Sequence, residues 1–191
     1  MRRRVLVWIS VLSLLFTGTV LAGSVLAAPP AAAHPYCGQV WGSLAKGAPG
    51  MTAGQLTGIR AGRHTCYDRL VLDINRPLTG WSVRYVSQVT ADGSGNVVPV
   101  NGGARLEVIV RVGIPTNAFR VGIGGTLVNT TGYRTFRDVA WAGSFEGVTT
   151  IGLGVRARLP FRAFVLPGPG AGSRLVVDVG HQWCATGHTD C

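Results

Sequence analysis

Lysine is almost missing from this 191-residue chain: of its 18 Lys plus Arg residues only Lys46 is a lysine, and the other 17 are arginine. Acidic residues are scarce as well, 8 Asp plus Glu, and charged residues of every kind make up 14% of the sequence, against roughly a quarter in ordinary soluble domains. So little charge beside 47% hydrophobic residues excludes intrinsic disorder, which needs low hydrophobicity and many charges. The want of Ala, Glu, Lys and Leu at helical spacing excludes a coiled coil or helical bundle. Also absent are H-E-x-x-H, G-x-S-x-G and P-loop motifs. What the chain has in surplus is arginine, valine and glycine (28 of the last), with a formal net charge of +10. Taken alone, that charge points to a nucleic-acid binder.

The N-terminus redirects it. Met1-Arg2-Arg3-Arg4 is a positive n-region, Val5 to Leu26 an apolar run, and Ala31-Ala32-Ala33 the small-residue pattern that a signal peptidase cuts, just before His34. A second cut is open after Ala27. The alternative is an uncleaved anchor, because the run nears the ~20 residues that span a bilayer. Gly18, Gly23 and the Ala/Pro-rich stretch from Ala27 to Ala33 favour cleavage. Residues 1–33 are therefore expected to be a signal peptide, touching membrane only if it stays uncut. The rest is expected to be secreted or held in the envelope, outside the cytoplasmic membrane. Loss of Arg2, Arg3 and Arg4 takes the net charge from +10 to +7, and the compartment removes DNA and RNA as partners. The remainder, 158 of the 191 residues, suffices for one domain with a real core.

Cys37, Cys66, Cys184 and Cys191 all lie in the exported part, and an even count there reads as disulfides. Of the three pairings, Cys37–Cys66 and Cys184–Cys191 each close a local loop; the first ties residues 34–54, an N-terminal extension, to the body, and the second staples a tail over residues 181–191. A rival reading makes His181, Cys184, His188 and Cys191 a zinc ligand set. An oxidising compartment and the lack of a recognised zinc spacing favour disulfides.

From Leu56 onward the chain is a series of short alternating apolar runs separated by Gly, Pro, Asn and Asp. Strands are predicted near 56–61, 67–74, 82–90, 104–112, 134–142, 148–155, 161–166 and 174–179. One helical turn near Val40–Lys46 and an irregular loop over 113–131 complete the reading. The pattern predicts an all-β fold, a two-sheet β-sandwich of short, mostly antiparallel strands with little helix. One near-repeat stands out: Arg69-Leu-Val-Leu-Asp73-Ile returns as Arg174-Leu-Val-Val-Asp178-Val. If these strands are antiparallel neighbours, Arg69 faces Asp178 and Arg174 faces Asp73, a charge ladder that fixes register.

No credible catalytic set, metal site or cofactor site emerges. Ser43-Leu-Ala-Lys46 matches S-x-x-K, but its partner K-T-G motif cannot occur in a chain with one lysine. His64 and Asp68 match the H-x-x-x-D of some zinc endopeptidases, without the second motif those enzymes need. Gly152-Leu-Gly154 lacks the rest of a dinucleotide fingerprint and is expected to mark close backbone packing. The densest segment runs from Arg134 to Phe164, where Arg156 and Arg158 are expected on one strand face. Arginines beside aromatics suit carboxylates, phosphates and sugar faces, though such a face also serves to keep a sheet edge soluble. Tyr67, Trp81, Tyr85 and Trp141 are stacking platforms or core aromatics.

The runs Gly62-Arg-His-Thr-Cys-Tyr-Asp-Arg69, Asp92-Gly-Ser-Gly95, Phe145-Glu-Gly-Val-Thr-Thr-Ile-Gly-Leu-Gly-Val-Arg-Ala-Arg-Leu-Pro-Phe-Arg162 and Arg174-Leu-Val-Val-Asp178 together resemble the AMIN-like domain of exported actinobacterial proteins, here over residues 55–180. That group is similar in fold to AMIN domains, β-sandwich modules that target cell-wall amidases and secretin-type proteins to peptidoglycan and the envelope. Many AMIN-like members are lipoproteins; here Cys37 follows His34-Pro-Tyr36 and no lipobox. The resemblance implies a noncatalytic envelope module that binds peptidoglycan or another cell-wall polymer. The alternative is contact with another exported envelope protein through a sheet edge. Charge and aromatic character make Arg156, Arg158, Arg162 and Tyr67 the candidate contacts.

Overall fold

The computed structural model describes residue 37 and residues 40–168 and 170–183; residues 1–33, expected to be a signal peptide, and Cys184–Cys191 lie outside the described residues. The strands are β1 (Lys46–Pro49), β2 (Leu56–Arg63), β3 (Tyr67–Ile74), β4 (Gly80–Val86), β5 (Val89–Thr90), β6 (Val97–Val98), β7 (Ala104–Val110), β8 (Phe136–Phe145), β9 (Val148–Val155), β10 (Phe161–Pro167) and β11 (Ser173–Gly180). A five-stranded sheet has the order β1-β4-β7-β9-β8 and a four-stranded sheet the order β10-β11-β3-β2, every pairing antiparallel. A small β5–β6 hairpin is separate from both.

Alternation places the core. In β3, Leu70, Leu72 and Ile74 are buried, and in β11 Leu175, Val177 and Val179. They form one apolar cluster with Leu106, Val108 and Val110 of β7, Ile151, Leu153 and Val155 of β9, and Phe136 and Phe161. Two sheets, each with one apolar face turned inward, make a β-sandwich. The other set of positions in the four-stranded sheet, Tyr67, Arg69 and Asp73 in β3, Arg174 and Asp178 in β11, and Arg162 and Phe164 in β10, therefore shares the outer face.

The five-stranded sheet has no such free face along β8 and β9. A second cluster of Val89, Ala91, Val98, Val100, Ala140 and Ala142 covers it. That cover comes so close that a Cβ on Gly154 would lie 1.8 Å from the Asn101 carbonyl oxygen, and one on Gly152 2.5 Å from Val100. Only glycine fits under this segment. Between β8 and β9, Glu146 and Gly147 both have positive φ, 47° and 78°, and Phe145 pairs with Val148. Two such residues in a row make the type I′ hairpin turn, whose twist matches that of the strands.

Two sequence expectations are corrected. Residues 40–45 form no helical turn, and β1 begins at Lys46. Gly42, Gly47 and Pro49 oppose a helix, and Gly47 packs on β4 so tightly that its Cβ would meet the Trp81 carbonyl at 2.6 Å. Arg156 and Arg158 do not share a strand face, because β9 ends at Val155 and the chain bends over 156–158. The bend carries it from one sheet to the other, where β10 begins.

Candidate arginine–aromatic binding face

Asp178 is the pivot of the outer face of the four-stranded sheet. It is fully buried, opposite Arg69 in the β11–β3 register and opposite Arg162 in the β10–β11 register. Arg69 Nε and Nη2 donate to its two oxygens at 2.6 and 2.9 Å, and Arg162 Nε donates to Oδ2 at 2.8 Å. A carboxylate without water must be compensated by such bonds. One acid between two arginines leaves one positive charge over. The Asp178 hydrogen bond holds the Arg69 guanidinium above its ordinary pKa, against the opposing effect of its burial.

Rings interleave with these cations. The Arg162 guanidinium lies 4.6 Å from the Trp41 ring centre, 5.1 Å from Phe164 and 5.4 Å from Tyr67, and that of Arg69 lies 5.2 Å from Tyr67. Trp41 meets Tyr67 at 5.5 Å, and His64 stacks on the latter's ring at 4.6 Å. Trp41 belongs to no strand. It is seated by the Cys37–Cys66 disulfide, which fastens the N-terminal extension to the β2–β3 turn, and by the Phe161 amide donating to the Gly42 carbonyl at 3.0 Å. Guanidiniums set among rings and still partly exposed suit a ligand with both anionic groups and flat apolar faces.

The structure thus brings Tyr67 and Arg162 together and holds the other two candidates elsewhere. The Arg156 guanidinium bonds the His181 carbonyl. That of Arg158 lies 4.9 Å from the Tyr85 ring and bonds Ser43 through its Oγ and carbonyl. Arg174 stands opposite Asp73 in register but does not pair with it. Arg174 Nη2 donates to the Pro167 carbonyl at 2.7 Å, and Asp73 is taken by Arg60 of β2. Glycines 58 and 62 flank Arg60 on the same face and leave it room to reach across.

Four more of the acids among the described residues are turned inward or bonded. Asp68, fully buried, accepts from the Thr135 and Phe136 amides at 2.6 and 3.1 Å and lies 3.3 Å from His181 Nε2, tying β3 to β8 across the sandwich. Asp138 accepts from Asn101 and Thr126, Glu107 pairs with Arg84, and Asp92 accepts from Thr150. Among the described residues, Glu146 is the one exposed acid. The outer surface therefore presents arginine with little to oppose it.

The shorter motifs dissolve into structure. Lys46 Nζ caps the Gly42 and Leu44 carbonyls and lies 4.0 Å from the Phe161 ring centre. His64 is exposed and stacks on Tyr67 on the outer face, while Asp68, the next residue along β3, points into the core. His181 is buried against Asp68, and the other members of its suggested zinc set lie outside the described residues. Sequence reasoning passed over Trp41, Phe164 and Arg60 as partners of this face; only the parity of Phe164 with Arg162 signals one of them.

No curated protein and no solved structure matches the chain. A family model described as the AMIN-like domain matches residues 54–181, more than half of the chain and all strands from β2 to β11. Its match takes in Asp178 and every aromatic of the face but Trp41, and on that match the chain belongs to the AMIN-like domain family.

Proposed function

We propose that this protein is a noncatalytic module of the exported cell envelope that binds peptidoglycan or another cell-wall component through the outer face of the four-stranded sheet. Family membership points to the envelope, and the carrying observation is the Asp178-centred stack of Arg69, Arg162, Tyr67 and Trp41. Sugar rings pack their C–H faces on Trp41 and Tyr67, while carboxylates or phosphates of the polymer take the free N–H groups of Arg162 and Arg69. Asp178 holds both arginines at fixed positions, so little side-chain freedom is lost on binding.

The test is co-sedimentation of the purified protein with isolated cell wall. Arg162→Ala and Tyr67→Ala should each weaken binding about tenfold, the loss of one charge-assisted or stacking contact. Binding by both variants equal to that of the wild type would reject this face as the contact. Strand addition to an envelope protein fits less well at β8, whose outer edge is already bonded to Gly124, Gly125 and Leu127.

A further inference from the structure

Beside the Asp178 stack, and sharing Arg69 with it, the same outer face carries a groove of about 260 Å³. Its floor is Val71 and Val176, 8% and 2% exposed, and its walls include Arg60, Arg69 and Arg174. The β3–β11 register explains the layout. The Arg69–Asp178 row and the Asp73–Arg174 row are four residues apart, roughly 13 Å, and the Val71–Val176 pair lies between them. On the β2 side the wall is open because residue 62 is glycine; a Cβ there would have only His64 Nε2 within 4 Å, at 3.8 Å.

The charges do not cancel. Asp73 pairs with Arg60 and Asp178 with Arg69 and Arg162, while Arg174 has only the Pro167 carbonyl. Its Nε is buried without a hydrogen-bond partner. An anionic oxygen is the strongest acceptor for the guanidinium N–H groups that remain. Three guanidiniums reach this groove from three different strands, β2, β3 and β11. A planar carboxylate offers two oxygens in one plane, whereas a tetrahedral phosphate offers acceptors in several directions.

We propose that this groove is a phosphate subsite, and that it takes the phosphate ester of a phosphorylated cell-wall polymer whose sugars lie on the Trp41–Tyr67 platform. The proposal rests on the wall-binding reading and adds the chemical class of the group recognised. Arg174 donates from its terminal Nη groups, Arg69 and Arg60 close on the other oxygens, and the apolar floor excludes water from beneath.

The experiment compares binding to isolated wall before and after hydrofluoric acid, which cleaves phosphodiesters and leaves the glycan. Wild-type protein should bind untreated wall about tenfold more tightly than treated wall. Arg174→Ala should bind untreated wall as the wild type binds treated wall, and should equal the wild type on treated wall. Gly62→Leu, which keeps every charge and fills the groove, should do the same. Tyr67→Ala, by contrast, should lose affinity for both walls. Inorganic phosphate should compete with untreated wall and leave binding to treated wall unchanged. Matching thermal midpoints establish that the variants fold. Equal wild-type binding to both walls, or groove variants that match the wild type on untreated wall, would overturn the phosphate subsite and leave the broader reading standing. Tighter sedimentation with phosphatidylglycerol vesicles than with wall, abolished by Arg174→Ala, would overturn the assignment to a wall polymer. Binding to neither wall would remove both readings together.

Discussion

Asp178 shows how one residue can carry both stability and function. Its carboxylate is buried, yet its two partners remain partly exposed, 24% for Arg69 and 36% for Arg162, so one acid anchors two cations that still reach the surface. Asp178→Asn leaves two arginines crowded against a neutral amide. It should lower stability by about 3 kcal/mol and the melting temperature by about 6–12 °C, measured by thermal unfolding, with wall binding reduced as well. Unchanged stability would mean that the arginines are held by their rings alone. Asp92 behaves in the opposite sense. Burial is the main cause raising its pKa above the ordinary 3.8, and Glu107 adds to it, while the Thr150 hydrogen bond pulls it down. A carboxyl raised in the fold binds more protons folded than unfolded, so its ionisation costs stability as pH rises through the folded pKa. Asp92→Asn should therefore be more stable than the wild type at pH 7, with the advantage shrinking as pH falls toward about 4. A variant that melts below the wild type at pH 7 would show that the Thr150 bond outweighs burial. At this scale Tyr67, Arg69 and Asp178 are legible in sequence, because each lies in an alternating strand whose apolar parity is plain. Trp41 is not, since it lies in a strandless segment and reaches the face through Cys37 and the Gly42 carbonyl.

Among the elements, β3 and β11 announce themselves by alternation, while β9 does not. Seven of its eight residues are buried, so the face that should be polar reads as Thr150, Gly152 and Gly154. The cause is the cover from the β5–β6 hairpin and the chain beyond it, a long-range contact with no local signature. Gly154→Ala should accordingly cost more than about 3 kcal/mol or abolish folding, because the added carbon meets backbone and not a movable side chain. Glu146→Asn should do the reverse. It places Asn-Gly in the two left-handed positions of the β8–β9 turn and should add about 0.5–1 kcal/mol, read as a higher denaturant midpoint. The same expectation of continued alternation put Arg156 and Arg158 on a strand. The proline at 160 and the need to cross between sheets end β9 at Val155 instead.

For the whole molecule, the surplus of arginine acquires meaning only once the acids are located. Among the described residues Asp68, Asp138 and Asp178 are buried, Glu107 nearly so, Asp73 and Asp92 are bonded, and Glu146 alone is exposed, so their positive charge is left largely uncompensated on the outside. Counting residues gives the magnitude of that charge and says nothing of this separation. Binding driven by it weakens with salt, since exposed charges are screened over about 8–10 Å at physiological ionic strength. The stacking contribution of Trp41 and Tyr67 is not screened, so some affinity should persist. The most direct test is wall co-sedimentation of wild type, Arg162→Ala and Tyr67→Ala across a salt series. Wild-type affinity should fall with salt to a residual level. Arg162→Ala should flatten the slope, and Tyr67→Ala should keep the slope while losing the residual. Wild-type binding that is absent at low salt, or variants that track the wild type at every salt concentration, would contradict the arginine–aromatic face as the working surface of this protein.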